Sequence, residues 1–176
     1  MIMNRTELAQ RIRQAAYLEG DFTLRSGRKS KYYLDKYLFE TQPDILRALG
    51  SLFAEYVRPS TTLIAGAELG GIALAAAASL ASGKPFAIIR NQKKDYGTGK
   101  PYEGRMSDGD SVLIVEDIAT TGGQVLEAAN FIKGLGAAVE RIVAVIDRQE
   151  GARENIQSAG FDFAALFTKA DLGIVG

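Results

Sequence analysis

The chain has 176 residues, 47% of them hydrophobic and 24% charged, with 21 Lys plus Arg against 21 Asp plus Glu. That balance leaves no basic surplus to draw nucleic acid or an anionic membrane, and the length suits a single domain spanning 1–176 with a sizeable core. There is no Cys and no His, which excludes disulfides, thiolate nucleophiles, His-based triads and the usual zinc sites, and leaves carboxylates, Lys, Arg, hydroxyls, backbone amides or a hard cation such as Mg2+.

No charged segment followed by an apolar run opens the chain, so a secretory signal is not expected. In "NRTELAQRIRQAAYLEG" the apolar residues Leu8, Ile12, Ala15 and Ala16 predict a helix closed by Gly20. "FTLRSGRKSKYYLDKYLF" (22–39) alternates and is rich in Tyr and Phe, which predicts strand, turn, strand. "PDILRALGSLFAEYV" (43–57) is amphipathic, with Ile45, Leu49, Phe53 and Tyr56 on one face. The rhythm then changes to short apolar runs at 62–71, 85–90, 111–117 and 141–148. Between them lie an Ala-rich helix, 71–81, and a helix at about 123–134 carrying Val125, Ala129 and Ile132. Continuous apolar strands alternating with helices indicate an α/β fold, a parallel sheet covered on both faces. The longest apolar-leaning stretch, Leu69 to Gly83, is too short to cross a bilayer, so no membrane partner and a cytoplasmic location are expected.

One connection breaks the pattern. Residues 91–110, "NQKKDYGTGKPYEGRMSDGD", hold four glycines and four basic residues without helical or strand periodicity. A connection of that length inside a domain reads as a long mobile loop serving as a lid.

In an open parallel sheet, ligands bind beyond the carboxyl ends of the strands. Here the strand from Leu63 runs into "GAELGG", that from Phe86 into Arg90, that from Val112 into Glu116 and Asp117, and that from Ile142 into Asp147 and Arg148. After the two acids come Ile118, Ala119, Thr120, Thr121, Gly122 and Gly123 at the start of a helix. Consecutive N–H groups, two hydroxyls and a helix dipole make a cradle for a phosphate monoester. The glycines admit close approach, and the acids suit a diol rather than the phosphate. Together they describe a ribose 5-phosphate. No G-x-x-x-x-G-K-[ST] and no strand–G-x-G-x-x-G–helix occurs, so nucleotide-triphosphate and dinucleotide motifs are unsupported. An ordinary strand–turn–helix corner stays open on the residues alone, as does a structural salt bridge from Arg148 to Asp147 or Glu150.

"VLIVEDIATTGG" resembles the phosphoribosyl-diphosphate (PRPP) signature of the type I phosphoribosyltransferases. "FTLRSGRKSKYYLD", "AGAELGGIALA", "RNQKKDYGTGKPYEG" and "VIDRQEGA" extend the resemblance through most of the chain, to the members that use orotate. The resemblance implies a parallel sheet flanked by helices, a small N-terminal strand and helix hood, and transfer of phosphoribose from PRPP to orotate. Glu116 and Asp117 would hold the ribose hydroxyls and 119–123 the 5-phosphate, with Ile118 alongside. Arg90, Lys93, Lys94 and Tyr96 would complete the PRPP site, with Lys94, Asp117 and Glu116 catalytic. Arg25, Tyr33, Leu34, Thr120 and Arg148 would serve orotate, Arg25 also facing diphosphate charge. Mg2+ would ride in on substrate oxygens rather than on a protein metal site, and a homodimer would share the loop between subunits. A transferase for another base, or a regulator that only senses PRPP, remains an alternative. The chain departs from many members at Asn91, Tyr96 and Gly70, where a basic residue, His and Lys are found; Lys93 and Lys100 are expected to compensate. Because the acids sit at a strand end, Asp117→Asn is expected to leave stability little changed.

Overall fold

Asn4 accepts the Glu7 amide and Glu7 reaches back to the Asn4 amide, both at 2.9 Å, so a capping box starts α1 (Arg5–Ala16). The structure, a computed structural model, describes residues 3–23, 27, 29–91 and 100–174. The helix stops at Ala16, four residues before the expected Gly20, because Tyr17 enters β1 (Tyr17–Thr23). That strand pairs antiparallel with β2 (Lys29–Leu34), and Tyr17 stacks on Tyr32 at 5.5 Å between ring centroids. A cross-strand aromatic contact decides the boundary that helical spacing misplaced. The expected run of strand to Phe39 is also corrected: Asp35 accepts the Tyr37 amide at 3.1 Å and starts the short helix α2 (Lys36–Glu40).

Pro43 opens α3 (Pro43–Ala54), which buries Ile45, Leu49 and Phe53. The central sheet then forms from β3 (Leu63–Ala67), β4 (Phe86–Ile89), β5 (Tyr102–Glu103), β6 (Ser111–Ala119), β7 (Ala138–Asp147) and β8 (Phe163–Thr168). Their order is β5-β4-β3-β6-β7-β8, parallel except for the antiparallel β5 edge. The helices α4 (Gly70–Ser82), α5 (Gly123–Gly134) and α6 (Ala152–Ser158) complete the chain. Leu113, Val115, Val143 and Val145 face α1, α3 and α4, while Val112, Ile114, Ile142 and Ala144 face α5 and α6. Alternate residues of one strand serve two cores, as a sheet covered on both sides requires. The last strand and α6 carried no assignment in the sequence reading, and β5 lies in the 91–110 stretch expected to be without regular structure. Residues 92–99 of that stretch lie outside the described residues.

The order places β4 and β6 on opposite sides of β3. The crossovers from β3 diverge there, leaving a crevice at the carboxyl ends of β3 and β6. On that line β3 and α4 meet very closely. A Cβ on Gly66 would lie 2.1 Å from the Gly71 carbonyl oxygen, and these are backbone atoms that cannot rotate away. Gly66→Ala is therefore expected to cost about 3 kcal/mol, the upper part of the overpacking range. Thermal unfolding should show it as a loss of roughly 6–12 °C; an unchanged melting temperature would contradict this packing.

Candidate active site

The two acids Glu116 and Asp117 lie inside a strand rather than at its end. β6 continues through Asp117 and Ile118 to Ala119, because Ile118 and Ala119 still pair with Ile146 and Asp147 of β7. Asp117 is buried, its side chain only 5% exposed, and Lys36 of α2 holds its Oδ2 at 2.6 Å. The Ile118 amide donates to Oδ1 at 2.5 Å. The expectation that Asp117→Asn spares stability is therefore corrected, since removing one charge of a buried pair leaves the other uncompensated.

A cleft of about 990 Å³ opens over this strand end. Glu116, Asp117, Ile118, Ala119, Thr120, Thr121, Gly122, Gly123, Tyr33 and Arg148 line it, together with Lys36, Gln124, Val125 and Glu150. The predicted cradle is built as a tight turn into α5. Gly122 has φ +82, a left-handed conformation that favours glycine, and a Cβ there would press on Ile156 at 3.0 Å. Backbone conformation and packing on α6 require this glycine, in addition to any need of a ligand. Asn155 donates to the Thr121 carbonyl at 2.9 Å and fixes the turn from behind. From the front, Gln124 donates to the Glu68 carbonyl at 3.3 Å and to Asn91 Oδ1 at 3.1 Å. The Asn91 amide donates to Glu68 Oε1 at 2.7 Å. Asn91, a departure in the sequence, thus ties the β3 loop to the cradle helix.

Arg148 enters from the end of β7, its own amide bonded to the Ala119 carbonyl at 2.9 Å. Its guanidinium lies 3.0 Å from Glu150 and 3.4 Å from the Tyr32 hydroxyl, and is 13% exposed. Its Nε is buried without a hydrogen-bond partner in the described structure. Of the two ion-pair partners left open, the structure selects Glu150; Asp147 faces Arg153 at 3.7 Å. The Leu34 side chain is buried in the core and does not line the cleft, whereas Tyr33 does. Arg90 sits at the end of β4, 3.5 Å from Glu103. Lys100 lies over the Tyr102 ring at 5.4 Å. Arg25, Lys93, Lys94 and Tyr96 lie outside the described residues.

Sequence reasoning missed Lys36, Glu40, Tyr32 and Gln124. The spacing of Lys36 and Glu40, four residues apart, is a signal that a helix would put them on one face, but the segment read as strand. Glu40 is buried beside Asp117, and its Oε1 has no partner in the described structure. Burial first, then the charge of Asp117, pushes its carboxyl up to about 8, with Lys36 pulling the other way. Burial and the charge of Asp117 also push Glu116 upward. For Lys36, burial works to lower the ammonium pKa, yet the attraction of Asp117 wins and raises it.

The chain matches the family described as phosphoribosyl transferase domain over residues 38–163. It is 48% identical over 153 residues to an orotate phosphoribosyltransferase of Halobacterium salinarum, covering 87% of each chain. To an orotate phosphoribosyltransferase of Methanocella arvoryzae it is 43% identical over 168 residues, covering 95% of this chain and 96% of that one. Among solved structures, Mycobacterium tuberculosis orotate phosphoribosyltransferase superposes with a TM-score of 0.87 at 31% identity, over 97% of this chain and 99% of that one. A structure of that enzyme in complex with PRPP matches with a TM-score of 0.82 at 30% identity, over 97% and 99%.

The raised Glu40 carboxyl sets a pH dependence. The folded state keeps this proton up to about pH 8, while the unfolded chain releases it near the ordinary 4.5. Stability from this group therefore declines as pH rises through that window. Glu40→Gln should remove its share of the decline. In urea unfolding, the stability of the variant relative to the parent should grow by at least about 1.4 kcal/mol between pH 5 and pH 8, the value of one pKa unit. A difference that does not change with pH would refute the assignment.

Proposed function

The chain belongs to the phosphoribosyltransferase family, among the orotate phosphoribosyltransferases, and we propose that the cleft over β6 is where it moves the phosphoribosyl group of PRPP to orotate. The reaction gives orotidine 5'-monophosphate and diphosphate, a step of pyrimidine biosynthesis. The observation that carries the site assignment is one cleft in which a turn-and-helix cradle, a buried carboxylate and a guanidinium face a common space.

Thr120, Thr121, Gly122 and Gly123 receive the 5-phosphate on hydroxyls and amides at the start of α5. Glu116 and Asp117 accept from the ribose 2'- and 3'-hydroxyls. Positive charge grows on the anomeric carbon as the diphosphate leaves, and the nearby carboxylates stabilise it more in the transition state than in the ground state. The orotate ring nitrogen gives up its proton to solvent and forms the new bond to that carbon from the face opposite the departing diphosphate. Arg148 meets the charged end of orotate with Thr120 and Tyr33 beside it; the unpartnered, buried Nε supports that role, since a buried donor calls for an acceptor. Arg25, Arg90, Lys93, Lys94 and Tyr96 keep the roles that the resemblance gives them at the diphosphate and the base.

No three-member cluster of Asp or Glu suited to caging a metal occurs among the described residues. The carboxylates present instead fit a Mg2+ carried on substrate oxygens, which keeps most of its ligands from water and phosphate. When bound, it neutralises diphosphate charge; the protein's part is to hold the ribose hydroxyls and cradle the 5-phosphate. A single domain acting in the cytoplasm fits the absence, among the described residues, of a helix able to cross a membrane. A homodimer with shared loops is supported by Leu80, 89% exposed, and Leu69, 65% exposed, at the two ends of the Ala-rich helix region.

Arg148→Ala should raise the orotate KM at least tenfold while moving the PRPP KM less than threefold, and uracil should be a poor substrate of the parent, because each unpaired buried donor costs ~1–3 kcal/mol. Equal use of uracil, or a defect confined to PRPP, would remove Arg148 from the base site. Mixing inactive Lys94→Ala and Asp117→Asn subunits should restore part of the activity if each site borrows a loop from its neighbour. Verified heterodimers without activity would rule out shared loops.

A further inference from the structure

We propose that Lys36 is a positioning residue: it aims the Asp117 carboxylate that receives the ribose, with Gly70 and Glu40 shaping the space for the pair. The proposal rests on the reading of Asp117 as a ribose-hydroxyl acceptor.

Three observations converge on it. The Lys36 ammonium sits 2.6 Å from Oδ2, and the Ile118 amide holds Oδ1, so both carboxylate oxygens are fixed before any ligand arrives. An acceptor oriented in advance needs no rearrangement as charge develops. Second, Oδ2 leans into the space above Gly70, where a Cβ would lie 2.0 Å from it and 3.1 Å from Glu40 Oε1. Any side chain at the first residue of α4 would push the carboxylate off Lys36. Third, Lys36 and Glu40 are one turn apart on α2, so the short helix delivers the cation and a buried carboxyl to the same hole. Glu40 holds its proton there, which leaves the single ammonium to Asp117.

Without that ammonium, Asp117 would be buried beside Glu116 and Glu40 with no opposing charge close by, and its carboxylate would turn away from them. That change weakens an acceptor for the ribose and leaves the base site alone. Lys36 and Arg148 are the cations that line the cleft among the described residues, and they serve its two different ends.

The test is a double-mutant cycle on the full chain, with PRPP–Mg2+ binding followed by calorimetry beside the kinetics. Lys36→Gln should lower kcat/KM for PRPP at least tenfold and weaken PRPP binding, with the orotate KM within twofold of the parent. Lys36→Arg should recover most of the loss. In an Asp117→Asn background, Lys36→Gln should add less than a twofold further loss, because it acts through the missing carboxylate. Additive losses, an equal rise in both KM values, or a Lys36→Gln enzyme matching the parent would overturn the proposal. If Lys36→Gln does not fold, Lys36→Met, similar in length and without the charge, takes its place in the same cycle. A parent that leaves orotate untouched in the presence of PRPP sinks the functional reading and this proposal with it. An active parent crippled by Asp117→Asn but indifferent to Lys36 sinks the proposal alone.

Discussion

An ionised carboxylate buried at the top of the central strand is costly unless a cation reaches it, and in this protein the cation comes from outside the sheet. Lys36 on α2 meets Asp117 on β6 at 2.6 Å. The contact joins the N-terminal hood to the parallel core and fixes the wall of the cleft at the same time. A buried pair of this kind contributes little net stability, because desolvation offsets attraction. Its value lies in specifying one arrangement of α2, α4 and β6.

The surrounding structure accommodates that pair through close backbone approach. Gly66 and Gly71 let β3 and α4 touch, and Gly70 leaves the volume that the Asp117 carboxylate occupies. These positions follow one another along the loop from β3, so a short glycine-rich stretch sets both the packing of α4 and the electrostatics of the site. Asn91 and Gln124 then link this loop to the cradle. Polar contacts thus tie the ends of β3 and β4 to the start of α5.

A site without His or Cys suits phosphoribosyl transfer for a physical reason. The difficult event is separation of a polyanion from a carbon that becomes cationic, and little proton movement is asked of the protein. Carboxylates suited to a diol and fixed donors suited to anions are the contacts such a reaction asks for. The raised carboxyls of Glu40 and Glu116 show the opposing strain. Burial and the nearby charge of Asp117 disfavour the charged forms of Glu40 and Glu116, while Lys36 faces Asp117 directly.

The parallel sheet, the two helices between its strands and the cradle were legible in the sequence, because continuous apolar runs and a Thr–Thr–Gly–Gly turn are local patterns. The 123–134 helix was read with its observed bounds. The first helix was not, since a Tyr17–Tyr32 stack across two strands ends it early. β5 has two residues, too few to show periodicity, and exists only by pairing with β4. The pairing of Arg148 with Glu150 instead of Asp147, and the inward turn of Leu34, depend on which face each strand presents. Lys36 and Glu40 looked like ordinary charges in a Tyr-rich strand. Sequence by itself determined which residue types were at hand for chemistry and where the Thr–Thr–Gly–Gly turn would lead into a helix, since those are properties of contiguous segments. Only the tertiary structure decided which charges share a hole, because the distance between Lys36, Gly70 and Asp117 is set by how α2, α4 and β6 pack, and no contiguous stretch of chain encodes that.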